Sequence, residues 1–132
     1  MNLDDERQII LAHPLIFRKL ESRLPRGERF ECAPGWKAII ADLATGLEQI
    51  ARESSDEPIA VEQVKQKLGS LRVYLAGPTT EAAETLVDGA RERSLRTCEL
   101  CGAPGTLTGV RHRICVLCDQ CALPSRKETL GQ

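Results

Sequence analysis

Cys98-Glu99-Leu100-Cys101-Gly102 and, further on, Cys118-Asp119-Gln120-Cys121 decide how the end of this chain folds. Two thiolates two residues apart reach one ion when the backbone between them turns tightly. Gly102 suits such a knuckle, because glycine accepts a positive φ at no steric cost. A tetrahedral ion needs a second pair, and the second Cys-x-x-Cys supplies it. The stretch between, Ala103 to Leu117, reads as a β-hairpin. Pro104-Gly105 opens it, Thr106-Leu107-Thr108 form one arm, Gly109 lies near the turn, and His112 to Leu117 return. Knuckle, hairpin and knuckle make a zinc-ribbon-like module, with Cys98, Cys101, Cys118 and Cys121 expected to close a structural Zn2+ site.

Spacing alone leaves the frame open. Cys115 and Cys118 form a second Cys-x-x-Cys pair, and His112 could replace one thiolate. The Cys118/Cys121 frame is preferred, because Ile114, Val116 and Leu117 read as strand and place Cys115 within it. Cys32, far upstream in an apolar setting, reads as a small buried residue.

Other uses of the cysteines fit less well. A disulfide framework needs an oxidising compartment, yet Met1-Asn2-Leu3-Asp4-Asp5-Glu6 is acidic and has no signal-peptide core. A thioredoxin-like pair sits at a helix N-terminus, whereas Cys98 follows the end of a helix, where the macrodipole should raise its thiol pKa. An iron–sulfur cluster would take the same four thiolates and colour the protein.

A chain of 132 residues suffices for one compact domain that buries about two-thirds of its unfolded surface. The hydrophobic fraction of 42% supports a core, although aromatics are only 3%. A net charge of −1 gives no global field for nucleic acid, but Arg91, Arg93, Arg96, Arg111, His112, Arg113, Arg126 and Lys127 make the C-terminal part locally basic. No apolar run spans a bilayer, so the expectation is a cytoplasmic protein without a membrane partner.

Upstream, Leu3 to Leu24 is expected to be helical, with Pro14 as a kink or as the start of a second short helix. Pro25 to Glu28 is a loop. After Ala33-Pro34-Gly35, a firmer helix carries Trp36, Ile39, Ile40, Leu43, Leu47 and Ile50 as an amphipathic stripe. Trp36, the single tryptophan, reads as a core anchor with its indole N–H satisfied nearby.

Ile59 to Gln66 and Ser70 to Ala76 read as a hairpin around Leu68-Gly69. With those two central, Gln66 faces Leu71, Lys65 faces Arg72, Val64 faces Val73 and Gln63 faces Tyr74. One face carries Val64, Leu71, Val73 and Leu75 towards the core. The other carries Gln63, Lys65, Lys67, Arg72 and Tyr74. Lys65 opposite Arg72 is a like-charge pair, unfavourable by several tenths of a kcal/mol, so something should offset it. A neighbouring carboxylate or solvation would do so, and so would an anionic partner. The helix after Thr79-Thr80-Glu81 runs to about Leu95, with Ala83, Val87, Ala90 and Ser94 as a line of small residues.

The expected fold is therefore α+β, with helices packed on a small antiparallel sheet. Residues 1–97 form the body with its hairpin at 59–76, residues 98–123 an integrated zinc-ribbon-like module, and residues 124–132 a flexible polar tail.

Cys32-x-x-Gly35-Trp36, Val64-Lys65-Gln66-Lys67-Leu68-Gly69-Ser70-Leu71-Arg72-Val73-Tyr74, Arg93-Ser94 and the two cysteine knuckles together resemble a group of small uncharacterised phage and prophage proteins. These join a helix that starts with Gly-Trp, a VKxKxGxLRxY hairpin and a terminal Cys-rich ribbon. The resemblance covers about Cys32 to Ala122 and implies a mobile-element origin. Arg111-His112-Arg113, where an aromatic is expected, and the extra Cys115 depart from the pattern.

Two functions compete at this level. The first is a non-enzymatic, zinc-stabilised interaction protein, a phage accessory factor that binds or inhibits a host protein. The second is a nucleic-acid-binding ribbon. The candidate contact residues are Lys65, Lys67, Arg72, Tyr74, Arg111 and Arg113. No catalytic constellation appears, and four thiolates leave no open position for a metal-bound water.

Overall fold

The computed structural model describes residues 1–110 and 112–123. Arg111 and the tail at 124–132 lie outside the described residues. The fold is α+β: α1 (Leu3–Ala12), β1 (Phe30–Glu31), a 3-10 turn (Pro34–Trp36), α2 (Lys37–Arg52), β2 (Ala60–Lys67), β3 (Ser70–Ala76), α3 (Glu81–Ser94), β4 (Thr106–Val110) and β5 (Arg113–Leu117). A helical turn at 119–123 carries the last cysteine.

The hairpin register is the one the sequence predicts. Gln66 pairs with Leu71, Lys65 with Arg72, Val64 with Val73 and Gln63 with Tyr74. Leu68 and Gly69 both take positive φ, 52° and 84°. That is the backbone a two-residue turn needs to match strand twist. The sheet gains a strand the sequence does not announce, because Phe30 and Glu31 pair in parallel with Val64 and Lys65. Glu6, itself buried, makes that strand tenable by accepting hydrogen bonds from the backbone N–H groups of Arg29 and Phe30.

The expected helix over Leu3–Leu24 is corrected. α1 stops at Ala12, and 14–19 form turns. Pro14 cannot continue the hydrogen-bond ladder. The next donors, Leu15 N–H and Ile16 N–H, go instead to the buried carboxylate of Glu48 on α2. Ile16, Phe17 and Leu20 of this segment are buried in the core.

The core lies between α2 and the sheet. Trp36, Ile39, Ile40, Leu43 and Leu47 meet Phe30, Val61, Val64, Leu71 and Val73. Each fully buried aliphatic chain contributes about 1.5–3 kcal/mol. α3 closes the layer with Ala83, Ala90 and Ser94 buried. Thr80 caps it, its hydroxyl accepting from Ala83 N–H at 3.1 Å. At its other end Ser94 donates to Arg91 C=O and accepts from Leu71 N–H at 2.9 Å, fastening the helix to β3.

Candidate metal centre

The four expected ligands come from two backbone knuckles held by one hairpin. β4 and β5 pair from Thr106–Leu117 to Val110–Arg113, and Gly109 lies near the turn as expected, opposite Ile114 and one residue before the closing pair. Gly102, at φ 84°, turns the first knuckle, and its N–H donates to Cys98 C=O at 2.9 Å. Cys98 N–H donates to Ala103 C=O, and Gly105 N–H to Arg96 C=O. The second knuckle rises into the 119–123 turn, where Ala122 N–H donates to Cys118 C=O and Cys121 N–H points to Cys118 Sγ.

The sulfurs of Cys98, Cys101, Cys118 and Cys121 all lie within 4.8 Å of one another. Cys101 and Cys118 Sγ are 3.6 Å apart, close to the ~3.8 Å edge of a tetrahedron with ~2.3 Å metal–sulfur bonds. None of the cysteines is in a disulfide. The donors are therefore placed to hold a metal ion, and among the described residues no other cluster of Cys, His, Asp or Glu is so placed. Cys115 is buried in β5 outside this set, and His112 is exposed at the turn with φ 68°.

The clustered thiols titrate unequally. Hydrogen bonds from Cys118 and Cys98 hold the Cys121 thiol up at about 12 and, over the lowering effect of the Ala103 N–H, those same neighbours raise Cys101, whereas Cys98 is favoured as the thiolate by the backbone around it. Burial pushes the Cys98 thiol up, but N–H groups of Cys118, Cys101 and Leu100 aimed at it outweigh that and bring its pKa to about 6. The macrodipole expectation for Cys98 is thus reversed. α3 has ended at Ser94, and local peptide dipoles, not the helix, set the field.

The knuckle and its hairpin are joined to the body from two sides. Gly35 N–H donates to Glu99 C=O at 2.7 Å, and Trp36 Nε1–H donates to Thr97 C=O at 2.9 Å. A Cβ on Gly35 would stand 2.2 Å from Cys98 O, so only glycine lets the two backbones meet. From the hairpin side, the Gln66 amide donates both to Glu99 Oε1 and to Ile114 C=O, at 3.0 and 2.9 Å. Gly69 meets Leu107 and Ile114 of the ribbon. Glu99, inside the first Cys-x-x-Cys, thus turns its buried carboxylate to the seam and not to the metal position. Sequence reasoning missed this role for Gly35, Gln66 and Glu99. The signal was present as a glycine directly before the sole tryptophan.

Lys65, Lys67, Arg72 and Tyr74 share one face of the β2–β3 hairpin. Lys65 Nζ sits 5.8 Å from the Tyr74 ring centre, and Arg72 Nε donates to Ser70 Oγ at 2.8 Å. Glu31 stands beside Lys65 in the parallel register. The like-charge pair therefore finds local compensation in a ring, a hydroxyl and a neighbouring carboxylate. Among the described residues none of Lys65, Lys67 and Arg72 forms an ion pair. Arg113 is exposed at the start of β5, and Arg111 lies outside the described residues.

No described helix is long and apolar enough to cross a membrane. No protein-family model, curated protein or solved structure matches the chain.

Proposed function

We propose that this chain is a zinc-stabilised, non-enzymatic interaction protein of the cytoplasm, a phage or prophage accessory factor that binds a host protein. The observation that carries it is the closed set of four sulfurs set into a seam with the body. All four donors are thiols, which favours zinc over harder cations and leaves no open position for a catalytic water. The metal's work is then to hold the knuckle against Gly35 and Trp36, keeping the hairpin and ribbon as one rigid surface. The mobile-element origin rests on the resemblance of Gly35-Trp36 and the hairpin to small phage proteins, and the same residues build the seam.

A second reading, a nucleic-acid-binding ribbon, is favoured by Lys65, Lys67 and Arg72 on one face without ion-paired carboxylates. One experiment separates the two. Zinc stoichiometry is measured on the purified chain, and the chain is then used to capture partners from its native bacterial host with and without nuclease. One zinc per chain and a stoichiometric host protein that survives nuclease fit the first reading. Binding that vanishes with nuclease, or collapses between low and physiological salt, replaces it with the second. Absence of bound metal refutes both.

A further inference from the structure

We infer that the outer edge of β3 is a docking site for an extended, cationic segment of a partner protein, which joins the sheet as an added strand beside α3. The inference goes beyond the reading above and depends on neither the basic face nor the identity of the metal.

The hydrogen-bond alternation of the hairpin supplies the first argument. With Lys67 and Ser70 flanking a two-residue turn, Ser70, Arg72 and Tyr74 direct their N–H and C=O groups to β2. Leu71, Val73 and Leu75 direct theirs outward. Ser94 Oγ takes the Leu71 N–H, which confirms the direction. Val73 and Leu75 have no such cap, and β3 is the last strand of its sheet. Among the described residues, no hydrogen bond reaches either outward N–H.

Such an edge is normally blunted by proline, a bulge, an inward charge or a covering helix, and here α3 covers it at Leu71, where Ser94 takes the N–H. β3 has no proline, and the bulge of this hairpin lies in β2 between Val61 and Gln63. What lies beside the open edge is a groove of about 320 Å³ between β3 and α3, with Val73, Leu75 and Val87 as its apolar lining. Its only charged lining residues are Glu84 and Asp88, one turn apart on α3, both exposed and neither ion-paired among the described residues. Open main-chain groups select an extended segment, and the carboxylates select Lys or Arg at alternate positions. A second copy of β3 is disfavoured, because it would bring another Glu84 and Asp88 to the same groove.

The test titrates the zinc-loaded, isotope-labelled full chain with two end-capped peptides, one alternating Val with Lys and one alternating Val with Glu. The Val/Lys peptide should shift the Val73 and Leu75 amides, slow their hydrogen exchange, and bind on the order of tenfold more tightly than the Val/Glu peptide. Glu84→Gln with Asp88→Asn, both at exposed helix positions, should remove that preference. Leu75→Pro deletes one outward donor where an edge strand tolerates proline, and should abolish the Val73 shift. Should Leu75→Pro not fold, the charge variant alone decides. Equal affinity for the two peptides, shifts confined to other surfaces, or concentration-dependent shifts without peptide each overturn the proposal. Metal content measured on the same sample keeps this outcome separate from the zinc reading.

Discussion

The indole N–H of Trp36 donates to the carbonyl oxygen of Thr97 at 2.9 Å, across 61 residues of sequence and next to the first metal-site cysteine. The ring is fully buried, and the chain has no other tryptophan. Tryptophan emission should therefore report the state of the knuckle, shifting to longer wavelength as metal is chelated. Trp36→Phe keeps most of the apolar burial but leaves Thr97 C=O without its donor. A loss of about 1–2 kcal/mol in chemical denaturation is expected.

Gly35→Ala should be more damaging than its single methyl suggests. The added carbon would stand 2.2 Å from Cys98 O and 2.5 Å from Glu99 C, both backbone atoms that cannot swing aside. Separation of the two chain segments, with a loss of about 2–3 kcal/mol and weaker zinc retention under chelator, is the expected result. Unchanged stability would show that the seam does not hold the module.

Cys98→Ser and Cys101→Ser should each release the metal, since a three-thiolate site loses much of the roughly 10–16 kcal/mol typical of structural zinc. Cys115→Ser should retain one metal per chain, because Cys115 stands outside the sulfur cluster. Metal analysis of the three purified variants reads this directly.

Cys32 is half-buried against the core rather than fully buried, and the loss of solvent there lifts its thiol from its ordinary 9.0 to about 12. The sign follows from linkage: a thiol that ionises later in the folded state favours folding below pH 9, and that contribution is lost as pH rises from 9 to 12. Alkylation at neutral pH, read by mass spectrometry, should leave Cys32 unmodified in the native protein. After chelation, Cys98, whose pKa is about 6, and the exposed Cys101 should label before it.

Lys65→Gln with Arg72→Gln removes the like-charge cross-strand pair without setting a new carboxylate against Glu31, so folding should change by only a few tenths of a kcal/mol. If the basic face is the contact surface, host-protein capture is lost in this variant while zinc content and circular dichroism are kept.

Local chemistry explains which elements could be read in advance. A two-residue turn at Leu68-Gly69 needs positive φ at both, which Gly69 takes freely and Leu68 is made to take, and its position fixes every cross-strand pair down to Gln63 and Tyr74. The α2 stripe and the spacing of the knuckles are likewise short-range signals. β1 was invisible because two residues carry no period, and its pairing depends on a glutamate 24 residues earlier, Glu6. The end of α1 was misread because Ile16 and Leu20 keep helical spacing, while Glu48 captures their segment's donors from another element. At the site, the ligand spacing was legible but the orientation of Glu99 was not. Its destination, Gln66, becomes a neighbour only after the chain has folded.

The seam between Gly35 and Glu99 has a kinetic meaning as well. The two cysteine pairs are separated by a single hairpin, so they can close on an ion while the rest of the chain is still searching. The contacts of Gly35 and Trp36 close a far longer loop, with β2, β3 and α3 inside it, and the entropy of that closure must be met before the contacts form. Docking of the knuckle is therefore expected late in folding, after the long loop has closed. An ion held by these four thiols would then leave the intact protein at a rate tied to how often that seam opens.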